Sequence, residues 1–130
     1  MVTRPPDWPE RLDAFLASRA TMPFAWGSHD CVTFAAAWLT ALGQEMILPT
    51  WRTETEADAL LDERGGLQLA VQDILGLPSD PAFLGRGDIA LTWVGEDTPL
   101  GICTGSRVAL AGPDRLIFVP RRLMRVGWRV

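Results

Sequence analysis

Cys31 is the residue in this 130-residue chain best suited to covalent chemistry. It opens the apolar run Cys-Val-Thr-Phe-Ala-Ala-Ala-Trp-Leu-Thr-Ala-Leu42, directly behind Gly27-Ser28-His29-Asp30. A cysteine in the first turn of a helix meets unpaired backbone N–H groups and the positive end of the helix dipole. Both favour thiolate over thiol, the form a nucleophile needs. Inert packing is the competing explanation, because cysteine is small and commonly buried. Cysteine catalysis generally relies on a base within about 2.6–3.2 Å, itself steadied by a third group. His29 is the only histidine present. It lies in the turn beside Cys31 rather than across from it, so it reads as a loop or cap residue, with service as a base the lesser alternative. Asp30 could orient a substrate, but capping the helix N-terminus explains it fully. Cys103, the second cysteine, reads as strand packing, and a Cys31–Cys103 disulfide is not expected. Two cysteines supply neither a disulfide framework nor metal spacing.

These side chains need a scaffold, and the pattern around them describes one. Asp7-Trp-Pro-Glu10 looks like a helix start, with Asp7 as cap, and Leu12, Phe15 and Leu16 recur at helical spacing, predicting a helix over 8–19. Residues 21–28 form a loop broken by Pro23 and Gly27. The Cys31 helix, capped by Asp30 or Ser28 and stopped by Gly43, carries no charge between its ends, which predicts a central helix buried on most sides. Thr53-Glu-Thr-Glu56 is a capping box that opens an amphipathic helix to Arg64, where Asp58, Asp62 and Glu63 form a wet face. A shorter helix runs from Leu67 to Leu75. After Pro78 the texture changes to short, turn-bounded strands at 88–94, 100–104, 107–111, 116–119 and 126–130. Helices first and strands afterwards predict one α+β domain over 1–130, with the N-terminal helices packed on a C-terminal antiparallel sheet.

Composition closes several doors. Twelve Arg against sixteen acids give a net charge of −4, which excludes a generally basic nucleic-acid coat. No apolar run nears the roughly 20 residues that span a bilayer, and Met1–Pro6 lacks the apolar stretch of a signal peptide. No phosphate-binding loop, dinucleotide fingerprint or metal motif appears, so neither cofactor nor metal is expected. The charge is uneven, with six Arg against one Asp in 107–130 and six Arg against fifteen acids before. That split suggests internal pairing or a basic contact surface. Arg121, Arg122 and Arg125 are the only basic cluster, a candidate partner-binding rim, and Trp8, Trp51 and Trp128 near element ends are candidate anchors beside it.

Trp26-Gly27-x-x-Asp30-Cys31 ahead of an apolar helix resembles the nucleophile region of NlpC-like cell-wall cysteine peptidases. Gly87-Asp88-Ile-Ala-Leu91 is similar to the strand that opens their sheet, and Leu100-Gly101-Ile-Cys-Thr-Gly105 to the next, where that family usually reads His-x-Gly-Ile. The closer likeness is to a phage-associated branch, whose small members sit among tail genes. They share the Pro-Phe-x-Trp-Gly-x-x-Asp-Cys start, a mid-chain Gly-Gly-Leu and a C-terminal Trp-Arg. The resemblance covers nearly the whole chain and implies a papain/NlpC-like fold. In those peptidases a histidine on the second strand takes the proton from the cysteine. Setting Gly101-Ile102 on their Gly-Ile puts Pro99 in that position, and proline has no ionisable group. Cys103 shares a strand face with Pro99 and is thus expected on the side that would carry the base, but too far along to replace it.

The expectation that follows is a structural component of a phage tail, at or near the tip, built on a catalytically degenerate peptidase fold. It would reside in the virion tail, and in the host cytoplasm during assembly, with other tail proteins as partners. The alternative is an active peptidase or amidase acting on peptidoglycan through Cys31.

Overall fold

A computed structural model describes residues 4–130. Four helices come first, α1 (Trp8–Arg19), α2 (Cys31–Ala41), α3 (Glu54–Glu63) and α4 (Leu67–Leu75). Five strands follow, β1 (Ile89–Thr92), β2 (Leu100–Cys103), β3 (Arg107–Ala111), β4 (Leu116–Pro120) and β5 (Met124–Trp128). They form one antiparallel sheet in the order β4-β3-β2-β1-β5. The α+β architecture is as the sequence predicts. The last strand starts two residues earlier than expected and ends at Trp128.

The helix ends show which local rules won. Asp30 is the N-cap of α2: its carboxylate accepts from the Thr33 N–H while the Thr33 hydroxyl accepts from the Asp30 N–H, a reciprocal box. At the other end Gly43, at φ +95°, reverses the chain, with Gly43 N–H on the Thr40 carbonyl and Gln44 N–H on that of Leu39. Asp7, expected as a cap, makes no such bond to the backbone of α1; its carboxylate pairs with Arg11 one turn on, at 2.9 Å. Glu56 likewise accepts from the Arg52 N–H, completing only half of the anticipated box at Thr53.

The centre of the sheet, β1, β2 and the middle of β3, is buried on both faces, where an antiparallel sheet commonly leaves one to solvent. Towards the helices, Ile89, Leu91, Leu100, Ile102 and Ala109 pack with Leu12, Phe34, Trp38 and Leu39. Phe15 of α1 stacks on Phe34, ring centroids 5.5 Å apart. On the opposite face Ala90, Cys103, Val108, Leu110 and Met124 gather around Leu84. Geometry explains the second cluster. β4 and β5 are opposite edges, and a flat five-stranded sheet would hold them about 19 Å apart. Only the single 3₁₀ turn Arg121–Leu123 joins them. The four Cα steps from Pro120 to Met124 reach at most about 15 Å, and less in a 3₁₀ turn. The sheet must therefore curl until its edges approach, helped by a bulge between Leu91 and Thr92. The curl encloses the second cluster. Gly101 sits inside it, where a Cβ would press on the Ala109 carbonyl and the Leu110 side chain.

The α2 helix departs from expectation. Phe34, Ala35, Trp38 and Leu39 are buried, but Thr40 is exposed and Thr33, Ala36 and Ala37 line a shallow cavity of about 300 Å³. An uncharged helix need not be covered all round; small residues on its open face cost little hydrophobic exposure.

Candidate functional site

Cys31 lies at the first position of α2 and faces a groove of about 830 Å³. Its walls are the 24–26 loop, the 47–51 loop, α3 and α4 on one side, and the β1–β2 and β3–β4 connections on the other. Asp30 shapes this corner. Besides the Thr33 bonds, its second carboxylate oxygen accepts the Gly27 N–H at 2.8 Å and the Trp51 indole N–H at 2.7 Å. Gly27 holds φ +81°, and a Cβ there would collide with the Trp51 carbonyl. Asp30 is thus a fully engaged structural hub that ties the turn before the helix to the loop at Trp51, leaving no lone pair free for a substrate. Trp26 stands on the groove wall, half exposed, with Phe24 against its ring at 4.8 Å.

Burial in apolar surroundings pushes the Cys31 thiol up from its ordinary value, and the Asp30 charge adds to this. The backbone N–H groups of Leu100, across on β2, and of Val32 and Cys31 at the helix end pull the other way without prevailing. The dipole argument for a thiolate therefore loses to desolvation.

His29 is not on the groove lining. It is buried, 1% exposed, with Nδ1 3.1 Å from the Arg19 guanidinium of α1 and its ring edge on Phe34. A guanidinium only donates, so Nδ1 accepts and Nε2 carries the proton; Nε2 has no partner among the described residues. The expected solvated or cap-bonded loop histidine is instead a buried one. Burial first, then Arg19, holds its pKa below the ordinary value, with Asp30 opposing. Pro99 does line the groove, at the position the resemblance aligns with the family's histidine. The ionisable side chains sharing that lining with Cys31 are Asp30, Glu54, Asp58, Arg64 and Asp97. No imidazole is among them.

The remaining sequence candidates form a frame rather than a site. Gly87 accepts the Trp38 indole N–H at 2.8 Å, and Asp88 is buried, bonded to Arg4, to the Gly85 N–H and to the Val130 N–H. Cys103 is free and fully buried in the cluster on the face of the sheet turned from the helices, which corrects its expected place on the side of a base. Trp128, expected as an anchor, is buried with its indole N–H on the Gly76 carbonyl, and Trp51 is buried against Asp30. Arg121 is no rim residue: its guanidinium donates to the carbonyls of Pro81, Leu84 and Gly105 and approaches the Cys103 sulfur at 3.5 Å. Arg122 is exposed, and Arg125, also exposed, lies over the Trp93 ring at 5.1 Å. Sequence reasoning missed Trp51 as a wall of the site and Arg19 as the partner of His29, because both pairings join segments whose proximity no local pattern announces.

Among the described residues no cluster of His, Cys, Asp and Glu is placed to hold a metal ion, and no helix is long and apolar enough to cross a membrane. None of the curated proteins compared with the chain matches it. A family profile described as "Domain of unknown function (DUF6950)" matches residues 3–130. Spanning nearly every residue from the first helix to the last strand, that match makes the chain a member of the DUF6950 family.

Proposed function

We propose that this chain is a non-hydrolytic member of the NlpC-like, papain-fold group, serving as a structural component at or near the tip of a phage tail. Support for the fold reading comes from the order of parts: a cysteine opening a helix that packs on an antiparallel sheet, with Gly87-Asp88 ahead of the first strand and Gly101 inside the second. One observation carries the functional reading. The Cys31 thiol, its pKa pushed up by burial, lies on a groove whose lining contains no imidazole, while the only histidine in the chain is turned to Arg19. Without a base opposite the sulfur, acyl transfer loses several powers of ten in rate. The groove then serves to dock protein, and the partners are other tail proteins.

A second reading keeps the enzyme. The backbone N–H groups of Leu100 and Val32, which favour the thiolate, together with an open groove, are what a reactive cysteine would use. The two readings part in one experiment: turnover of a peptidoglycan stem peptide by the wild-type protein and by Cys31→Ser. The structural reading expects both to match the blank, with the protein recovered in purified tails. Wild-type turnover that vanishes in Cys31→Ser, or absence from particles, overturns it.

A further inference from the structure

We propose that the Cys31 groove is filled by the β4 edge of a second copy of this chain, in a two-fold dimer held by opposite charge. The inference rests on the non-hydrolytic reading of the same groove. Four large apolar side chains are left exposed on the groove lining: Trp26, Ile47, Ile74 and Ile117. Exposed apolar side chains gathered in one groove suit an occupant that brings apolar side chains of its own. The groove also carries a sign. Glu54, Asp58 and Asp97 are exposed on it against the single Arg64, and none of the three is ion-paired among the described residues. α3 as a whole holds five acids and no base. An occupant must bring apolar side chains flanked by positive charge, and a carboxylate-rich peptide is repelled.

The chain carries such a surface itself. Phe118, half exposed, stands on edge strand β4. Arg115 precedes that strand, Arg107 lies beside its end opposite Pro120, and Arg122 follows. All three arginines are exposed, and none is ion-paired among the described residues. The charge split noted in the sequence is therefore not consumed by pairing between these arginines and the acids of α3. Ile117 belongs to both surfaces, lining the groove from β4. Groove and edge thus adjoin, and a two-fold axis lets each copy offer its edge to the groove of the other, a self-complementary arrangement.

The test is the mass of the full chain in solution, measured by light scattering at about 50 mM and about 500 mM NaCl, where screening differs severalfold. A dimer at low salt that dissociates at high salt is expected. Glu54→Arg with Asp58→Arg weakens it about a hundredfold, and so does Arg115→Glu with Arg122→Glu. Mixing the two double variants restores a dimer, which no loss of folding could do. A wild-type monomer at both salts, or a mixture that stays monomeric, overturns the proposal. So does a monomer that binds a labelled peptide of alternating Leu and Arg, since that assigns the groove to another protein's segment. Stem-peptide turnover is scored separately, so a failed dimer and a failed non-hydrolytic reading give different results.

Discussion

Two ionisable side chains separated by one residue, His29 and Cys31, are both driven to their neutral forms, and the same force does it. Desolvation raises the thiol and lowers the imidazole. What differs is direction: Cys31 faces the groove, whereas His29 turns back to α1, where the Arg19 guanidinium adds a second reason to stay neutral. The consequence for stability has a definite sign. With its folded pKa held below the ordinary 6.5, His29 takes up a proton more readily in the unfolded chain. Its contribution is present above that value and lost as pH falls through the folded pKa. Between about pH 7 and about pH 5 the urea midpoint of the wild-type protein should drop further than that of His29→Gln, which keeps an acceptor for Arg19 and has no proton to gain. Equal drops would place the acid sensitivity elsewhere.

At the scale of elements, the turn between β4 and β5 decides more than its three residues suggest. By joining opposite edges of the sheet it enforces the curl, and Arg121 within it secures the result. The planar guanidinium bonds to the carbonyls of Pro81 and Leu84, at the two ends of one 3₁₀ turn, and to that of Gly105, in the connection between β2 and β3. Replacing Arg121 with Met would leave those acceptors short of a partner inside the curl, at a cost of about 3 kcal/mol in urea unfolding. Arg121→Lys should recover less than half of the loss, because one ammonium cannot reproduce the fork. Most boundaries of the elements were legible in the chain: Gly43 stops α2, Gly65-Gly66 separates α3 from α4, and turn residues bound the strands. The role of Arg121 was not. An Arg-Arg pair reads as a surface cluster until the curl wraps one member inside and leaves Arg122 outside.

Across the whole molecule, Arg4 gathers distant parts of the chain. It donates to Asp88 at 2.6 Å, to the Arg86 carbonyl at 2.8 Å and to the Val130 carbonyl, and it lies over the Trp8 ring. Asp88 in turn accepts the Val130 N–H. Residues 126 apart in sequence are thereby held at one place beside the first strand. Arg4→Gln should cost about 2 kcal/mol of stability and speed amide exchange at Val130, while leaving the Cys31 corner, built from Asp30, Gly27 and Trp51, intact.

The chain by itself determined its helices and strands, the order in which they come, and the cysteine at the head of α2. These follow from caps, glycine stops and apolar periodicity, interactions that reach no further than a few residues. It also determined that no second histidine exists to serve Cys31, since a residue type that is missing is missing in every fold. Only the tertiary structure decided which way His29 points, that Asp30 is spent on Trp51 and Gly27, and that Trp128 and Arg121 lie inside rather than at a surface. It alone decided that burial outweighs the helix dipole at the sulfur. The reason is common to all four: desolvation and long-range hydrogen bonds depend on what the folded chain brings near, and neighbours in sequence do not specify neighbours in space.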